Sequence, residues 1–200
     1  MANVKILSCT PYPLRAISIA AGTCYGKTDI SEKRVENCIK AGHESVLEHA
    51  SATFQISDIS RACSHQLVRH RLASYSQQSQ RYCKIDTGSD DWYVIPPDIL
   101  ADNNRLELYK MFMGDYAWHY NGALNDGVKP EDARYLLPEA CKTEIVVTMN
   151  CREFFHFLET RLSHRAQWEI RYLAQEMHDA LLDENEEWRK LLEMWKRKSI

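Results

Sequence analysis

The sequence predicts an α+β fold: long helices packed around a modest, mostly antiparallel sheet, in a single domain spanning residues 1–200. Three observations carry that prediction. Residues 143–149, TEIVVTM, are dense in β-branched side chains; residues 51–57 alternate, with Ala52, Phe54 and Ile56 on one face; and residues 98–124 hold the longest helical pattern. Two hundred residues suit one domain with a sizeable core. No repeat, low-complexity stretch or linker divides the chain.

Taken in order, residues 4–8 read as a short strand ended by Pro11 and Pro13. Ser31 is placed to cap a helix with Val35, Cys38 and Ile39 inward, stopping near Gly42. In 42–49, Ser45 and Glu48 stand at capping-box spacing. The same block holds His43, Glu44, Glu48 and His49, but the HExxH zinc pattern needs a histidine where Leu47 stands, so no metal site is expected. After the strand at 51–57, Asp58 is expected to cap a helix with Ile59, Ala62, Cys63 and Leu67 inward and Gln66 and Arg69 near its end. A polar loop should follow, and 82–94 reads as irregular.

In 98–124 the stripe Leu106, Tyr109, Met113, Tyr116, Tyr120 and Leu124 reads as core or subunit interface. Asn125, Asp126 and Gly127 end that helix. Pro130 suits the first turn of a short helix carrying Arg134, closed by Pro138. After the strand at 143–149, Asn150 is placed to cap a helix with Phe154, Phe157 and Leu158 inward and Arg161 on an adjacent face. A further helix from about Arg165 carries Trp168, Ile170, Leu173, Met177 and Leu181. The segment 184–198 reads as a peripheral helix packed on one side through Trp188, Leu191, Leu192 and Trp195.

The chemistry concentrates in residues 69–81, RHRLASYSQQSQR. Arg69, His70 and Arg71 are followed by Ser74, Tyr75, Ser76, Gln77, Gln78, Ser79 and Gln80, and then by Arg81. Nearly every side chain there donates a hydrogen bond and none is acidic, a composition suited to holding an anion. Cations at a helix end gain only about 0.3–1 kcal/mol each from the helix dipole, so charge complementarity alone does not account for the donors that follow.

Composition narrows the partners. A formal net charge of −3 argues against a general nucleic-acid coat, so a local basic stretch favours a small anionic ligand. The seven cysteines are odd in number and contain no CxxC pair, which reads as reduced thiols in a cytoplasmic protein. No charged-then-apolar leader opens the chain and no apolar run is long enough to span a bilayer, so no membrane association is expected.

The stretch 69–81 fits RHR, seven residues, Ser, any residue, Arg, and so resembles the signature of the flavin-dependent thymidylate synthases. Three blocks resemble the same family in the same order: GHESVLEH at 42–49, ARYLLP at 133–138, and NCREFFHFLETRLSHRAQWEI at 150–170. The resemblance implies reductive methylation of dUMP to dTMP, with methylenetetrahydrofolate as carbon donor and a hydride from FAD that NADPH regenerates. It implies that Ser45, Arg69, His70, Arg71, Gln77, Asn150, Cys151, Arg152 and His156 hold FAD. It places Gln66, Leu67, Val68, Arg69, Gln77, Gln78, Ser79, Gln80, Arg81, Arg134 and Arg161 on dUMP. Arg161 takes the position of the cation that polarises the uracil ring. The resemblance further implies a homotetramer with active sites at subunit interfaces.

This sequence departs from the family pattern in places. Gln77 and Gln80 stand where many members have Glu and Gly, His156 stands where Asn is frequent, and Arg165 stands where some members have His. Ser79 has no Ser, His, Asp arrangement around it and reads as a dUMP donor rather than a nucleophile. A non-catalytic nucleotide- or nucleic-acid-binding module that uses the same basic loop for phosphate is the competing reading, and an absence of bound flavin would mark it.

Overall fold

A computed structural model describes residues 2–198. Strand β1 (Asn3–Cys9) is followed by helix α1 (Pro13–Thr23), which has no counterpart among the expected elements. Pro13 occupies the first helical turn, where its missing N–H costs nothing, and Leu14, Ile17 and Ala21 form the buried stripe. Helix α2 (Glu32–Ala41) begins as expected: Ser31 Oγ accepts the Arg34 N–H at 3.3 Å. It ends on Gly42, whose φ of 73° is the left-handed conformation that glycine adopts without a Cβ penalty. Residues Glu44–His49 form a 3-10 helix preceded by His43 without a side-chain cap, so the Ser45–Glu48 capping box does not form.

Strand β2 (Ser51–Ser60) runs three residues beyond the expected alternation. Asp58 lies inside it rather than capping a helix, with φ of 62°, a left-handed conformation that aspartate tolerates better than most residues. The cap of α3 (Arg61–Leu67) is instead Ser60, whose Oγ accepts the Cys63 N–H at 2.9 Å. Residues Ala73–Gln77, expected as loop, form strand β3. Its alternating serines leave one row half-buried and the other in solvent, a period of two that polar composition had hidden.

A short helix α4 (Pro97–Leu100) precedes α5 (Asn103–Asn125), so the long helix starts later than its pattern suggested, where Asp102 caps it by accepting the Arg105 N–H at 2.9 Å. Helix α6 (Pro130–Ala133) runs into a 3-10 turn at Arg134–Leu136. Strand β4 (Lys142–Asn150) leads into α7 (Cys151–Arg161), where Asn150 Oδ1 accepts the Glu153 N–H at 3.0 Å as expected. Helices α8 (Trp168–Glu184) and α9 (Glu186–Lys198) complete the chain; α8 starts three residues after the expected Arg165, where Gln167 Oε1 accepts the Ile170 N–H at 3.1 Å.

The four strands form one antiparallel sheet in the order β1-β2-β4-β3, in agreement with the expected fold class. The described residues divide into two compact units, 57–66 with 77–145, and 2–56 with 67–76 and 146–198. The core of the first gathers Trp92, Tyr93, Met113 and Cys141, with Tyr109 and Leu137 packed against it. Tyr109 donates its hydroxyl to Val94 O at 2.9 Å, and the Tyr120 hydroxyl accepts the Ile85 N–H at 3.1 Å, which ties the irregular 82–94 segment to α5.

In the second unit α1 packs on α2 and α9, and α8 lies between α7 and α9. Its core includes Ile17, Val35, Ile39, Phe54, Phe154, Phe157, Leu173 and Trp188, all 2% exposed or less. Each such side chain withdraws enough apolar surface to contribute about 1.5–3 kcal/mol. Phe54 stacks on Phe154 with ring centroids 5.6 Å apart, and Trp188 satisfies its buried indole N–H on Thr10 O at 3.0 Å. The terminal helix therefore buries Trp188, Leu191, Leu192 and Trp195 on one side, as its pattern predicted.

Candidate active site

In the first unit an open pocket of about 400 Å³ is lined by Arg61, Gln80, Arg134, Tyr135, Leu137, Pro138 and Glu139. The first N–H groups of α3 do not face it as an anion hole: Arg61 N donates to Cys141 O at 2.9 Å and Ala62 N to Glu139 O at 3.1 Å. In the same unit two cations, Arg134 of that lining and Arg81 outside it, are positioned by acceptors. Glu131 accepts Arg81 Nε–H through its carboxylate at 2.6 Å and Arg134 Nε–H through its carbonyl at 3.0 Å. Both bonds consume Nε, which leaves the two forked ends as the groups that can take an anion. The Arg81 guanidinium in turn holds the Glu131 carboxyl below the usual range.

The polar residues of the same unit are largely held from within. Gln77 donates from Nε2 to Ser64 Oγ at 2.9 Å and Thr143 Oγ1 at 3.1 Å. The side chain at position 77 is thereby tied to α3 and β4. Gln80 is nearly buried, its Nε2 3.5 Å from Cys141 Sγ, and burial pushes that thiol up to about 11. Ser79 Oγ accepts the Arg81 N–H at 3.3 Å, and among the described residues it has no hydrogen bond to a histidine or carboxylate. Gln78 is exposed and Gln66 half-buried on α3.

The second unit holds the other cluster. Helix α7 carries Glu153, Phe157 and Arg161 at spacings of four, and the turn after α3 carries His70. Arg161 Nε donates to His70 Nε2 at 3.0 Å, and His70 Nδ1 lies 3.2 Å from Glu153 Oε1. His70 and Glu153 are each 5% exposed. The Tyr75 hydroxyl sits 2.7 Å from His70 O and 3.0 Å from Leu67 O, pinning the turn to β3, and the Phe157 ring stands edge-on to the imidazole at 5.0 Å. Burial first, then the Arg161 charge, lowers the His70 pKa from 6.5 to about 4. Burial pushes the Glu153 carboxyl up.

These facts change what several expected ligands have to offer. Both ring nitrogens of His70 are taken up inside the chain, so its ring has no donor left for a flavin in this arrangement. Leu67 is fully buried and has only backbone to offer, with its carbonyl already on Tyr75. Cys151 is 1% exposed, burial raises its thiol pKa, and its N–H donates to Ala50 O at 2.8 Å. Asn150 spends its side chain on the α7 cap. Arg152 is exposed and paired with Glu48 at 2.6 Å and Glu44 at 3.7 Å, a pairing across the block that carries Ser45. Arg69, Arg71, Ser45 and His156 are exposed, and Val68 is half-buried.

His70, Glu153 and His156 place their ligating atoms within 4.8 Å of one another. That spacing resembles a metal site, but the Nε2 lone pair of His70 is engaged by Arg161 and Nδ1 faces Glu153, so His70 has no lone pair to give. Sequence reasoning missed Glu153, Glu131 and Tyr75. For Glu153 a signal existed: an acid and Arg161 eight residues apart on a face otherwise filled by phenylalanine.

Fold and site together define an α+β protein that holds arginine forks in place with internal acceptors, the equipment of an enzyme acting on an anionic substrate. The family model described as thymidylate synthase complementing protein matches residues 5–184. The flavin-dependent thymidylate synthase of Geobacter sulfurreducens is 46% identical over 186 residues, covering 88% of this chain and 80% of that protein. The enzyme of the same name from Pyrococcus furiosus is 42% identical over 213 residues, covering 100% and 82%. The crystal structure of thymidylate synthase X from Helicobacter pylori with FAD and dUMP is similar at a TM-score of 0.77 and 25% identity, covering 98% of this chain and 100% of that one. The chain belongs to the flavin-dependent thymidylate synthase family, as its four sequence blocks implied.

Proposed function

We propose that this chain is a methyltransferase that converts dUMP to dTMP, with methylenetetrahydrofolate as carbon donor, FAD as cofactor and NADPH as reductant. One observation carries the reading beyond family membership. Two separate blocks of the family pattern meet side chain to side chain, Arg161 of one donating to His70 of the other at 3.0 Å. The donor set suits the cofactor: exposed Ser45, Arg69, Arg71 and His156 offer hydroxyl, guanidinium and imidazole groups of the kind that diphosphate and flavin edges accept. When bound, FAD supplies the hydride that completes the methyl group.

The chain's own residues bind and polarise. Arg161, held through Nε by His70, is the cation assigned to a uracil carbonyl, where it stabilises negative charge as it develops on the ring. Arg81 and Arg134, steadied through Nε by Glu131, present forks suited to phosphate. Ser79, Gln78 and the backbone of 77–81 orient the nucleotide. A homotetramer with active sites at subunit interfaces is supported by the apolar exposed row on α5, Leu108, Met111, Phe112, Tyr116 and Trp118, larger than a lone surface apolar residue requires. No described helix is long and apolar enough to cross a membrane. All seven cysteines are free thiols, which supports the cytoplasmic reading.

The test begins with an absorbance spectrum of the purified protein and anaerobic NADPH addition with and without dUMP. A flavin band that bleaches at a rate set by dUMP is expected. Arg161→Ala should abolish dTMP formation with flavin still bound; near-normal turnover would remove the polarising role. A protein that neither contains nor takes up FAD would be a nucleotide-binding module instead.

A further inference from the structure

Arg161 is a donor in every protonation state it reaches, so the His70 Nε2 that it meets at 3.0 Å must carry a lone pair. A neutral imidazole with a bare Nε2 carries its proton on Nδ1, and Nδ1 faces Glu153 Oε1 at 3.2 Å. The two contacts therefore select one tautomer of two. The rest of the surroundings hold the ring rather than choose the tautomer: Tyr75 bonds the His70 carbonyl, Phe157 packs edge-on, and the His156 ring lies 5.7 Å away, tilted. Glu153 is the acceptor within the cluster, and it is buried among Phe154, Phe155 and Phe157, where an unpaired carboxylate would be costly.

We propose that Glu153 is a positioning residue: by accepting from His70 Nδ1 it keeps Nε2 bare, and His70 then orients the Arg161 guanidinium through Nε. The inference rests on the polarising role given to Arg161 above. Without the acceptor, the neutral imidazole takes the Nε2–H tautomer in part of the population. Two N–H groups then face one another, and the contact that orients Arg161 is lost. A displacement of about 1 Å at a polarising group costs on the order of 100-fold in rate.

The experiment uses the flavin-loaded protein with ring-nitrogen-labelled histidine, the His70 signals being assigned by their loss in His70→Asn. Nitrogen NMR of the unmutated protein should show Nδ1 as the protonated nitrogen and Nε2 as the bare one. Glu153→Leu should mix or invert that pattern and lower kcat by about 100-fold while KM for dUMP stays within about threefold. Glu153→Gln keeps an acceptor oxygen and should recover most of the loss.

A His70 protonated on Nε2 in the unmutated protein overturns the proposal. So does a Glu153→Leu enzyme with near-normal kcat, or one that loses kcat with the tautomer unchanged. If Glu153→Leu does not fold, the unmutated spectrum and Glu153→Gln decide, and a Gln variant that loses its activity outright overturns it. Because the tautomer is read without turnover, a protein that makes no dTMP yet shows the Nδ1–H form refutes the proposed reaction and leaves the positioning intact.

Discussion

Lowering the pH should unfold this protein partly through His70, and by an amount that the structure lets one work out. Its imidazole titrates at 6.5 in an unfolded chain and at about 4 here. As pH falls below about 6.5 the unfolded state binds the proton first, so stability falls with pH through the window from about 6.5 to about 4. The full gap corresponds to about 3 kcal/mol, of which about 2 kcal/mol is lost between pH 7 and pH 5. The groups facing the ring are Arg161, Glu153 and His156. Glu153 works in the opposite sense, because its raised carboxyl takes up a proton in the folded state before the unfolded one. The comparison must therefore be with a variant that keeps Glu153. Urea unfolding of the unmutated protein and of His70→Asn, at equal protein and FAD concentrations, should show the difference between them shifting by about 2 kcal/mol from pH 7 to pH 5. Two curves that fall in parallel would mean that His70 is not held neutral, and the tautomer argument would fail with it.

Other perturbations test other parts of the molecule. Ser79→Ala should weaken dUMP binding about tenfold, the worth of one hydrogen bond, and leave residual activity; complete loss of activity with intact dUMP affinity would make Ser79 a nucleophile. Phe54→Ala, at a fully buried site stacked on Phe154, should cost about 3–5 kcal/mol in urea unfolding, and a cost below about 1 kcal/mol would contradict the packing.

The elements legible in the sequence are those whose own side chains state their period. Residues 143–149 are β-branched at five of seven positions, 51–57 alternate, and Ser31 with Gly42 brackets α2 with its proper cap and stop. The failures share a cause. Asp58 is a good cap by residue type, yet the chain keeps its strand for three more residues and Ser60 takes the cap, a choice made by sheet pairing that no local pattern records. The stretch 73–77 is a strand without an apolar row, because its half-buried side chains include Tyr75 and Gln77, which satisfy their polar ends inside the chain. Helix α1 was hidden by two prolines read only as breakers, although Pro13 starts it.

The site was legible as a set of arginines and illegible as a mechanism, and the reason lies in the acids. With 28 acidic residues against 25 lysines and arginines, counting charge predicts a mild surface with one basic patch. The structure assigns particular acceptors to particular nitrogens: Glu131 to Nε of Arg81 and Arg134, His70 to Nε of Arg161, and Glu48 to an η nitrogen of Arg152. An exposed pair of this kind contributes about 0–1 kcal/mol to stability, so holding the fold together does not explain its placement. Orientation does. A guanidinium bound through Nε keeps its planar fork and loses its freedom to turn, which reduces the ordering cost when a phosphate or carbonyl arrives. Three arginines share this Nε mode although their acceptors differ in kind, a carboxylate, a backbone carbonyl and an imidazole. What recurs is therefore the geometry of the fork rather than the pairing of opposite charges, and that geometry is the part no residue count contains.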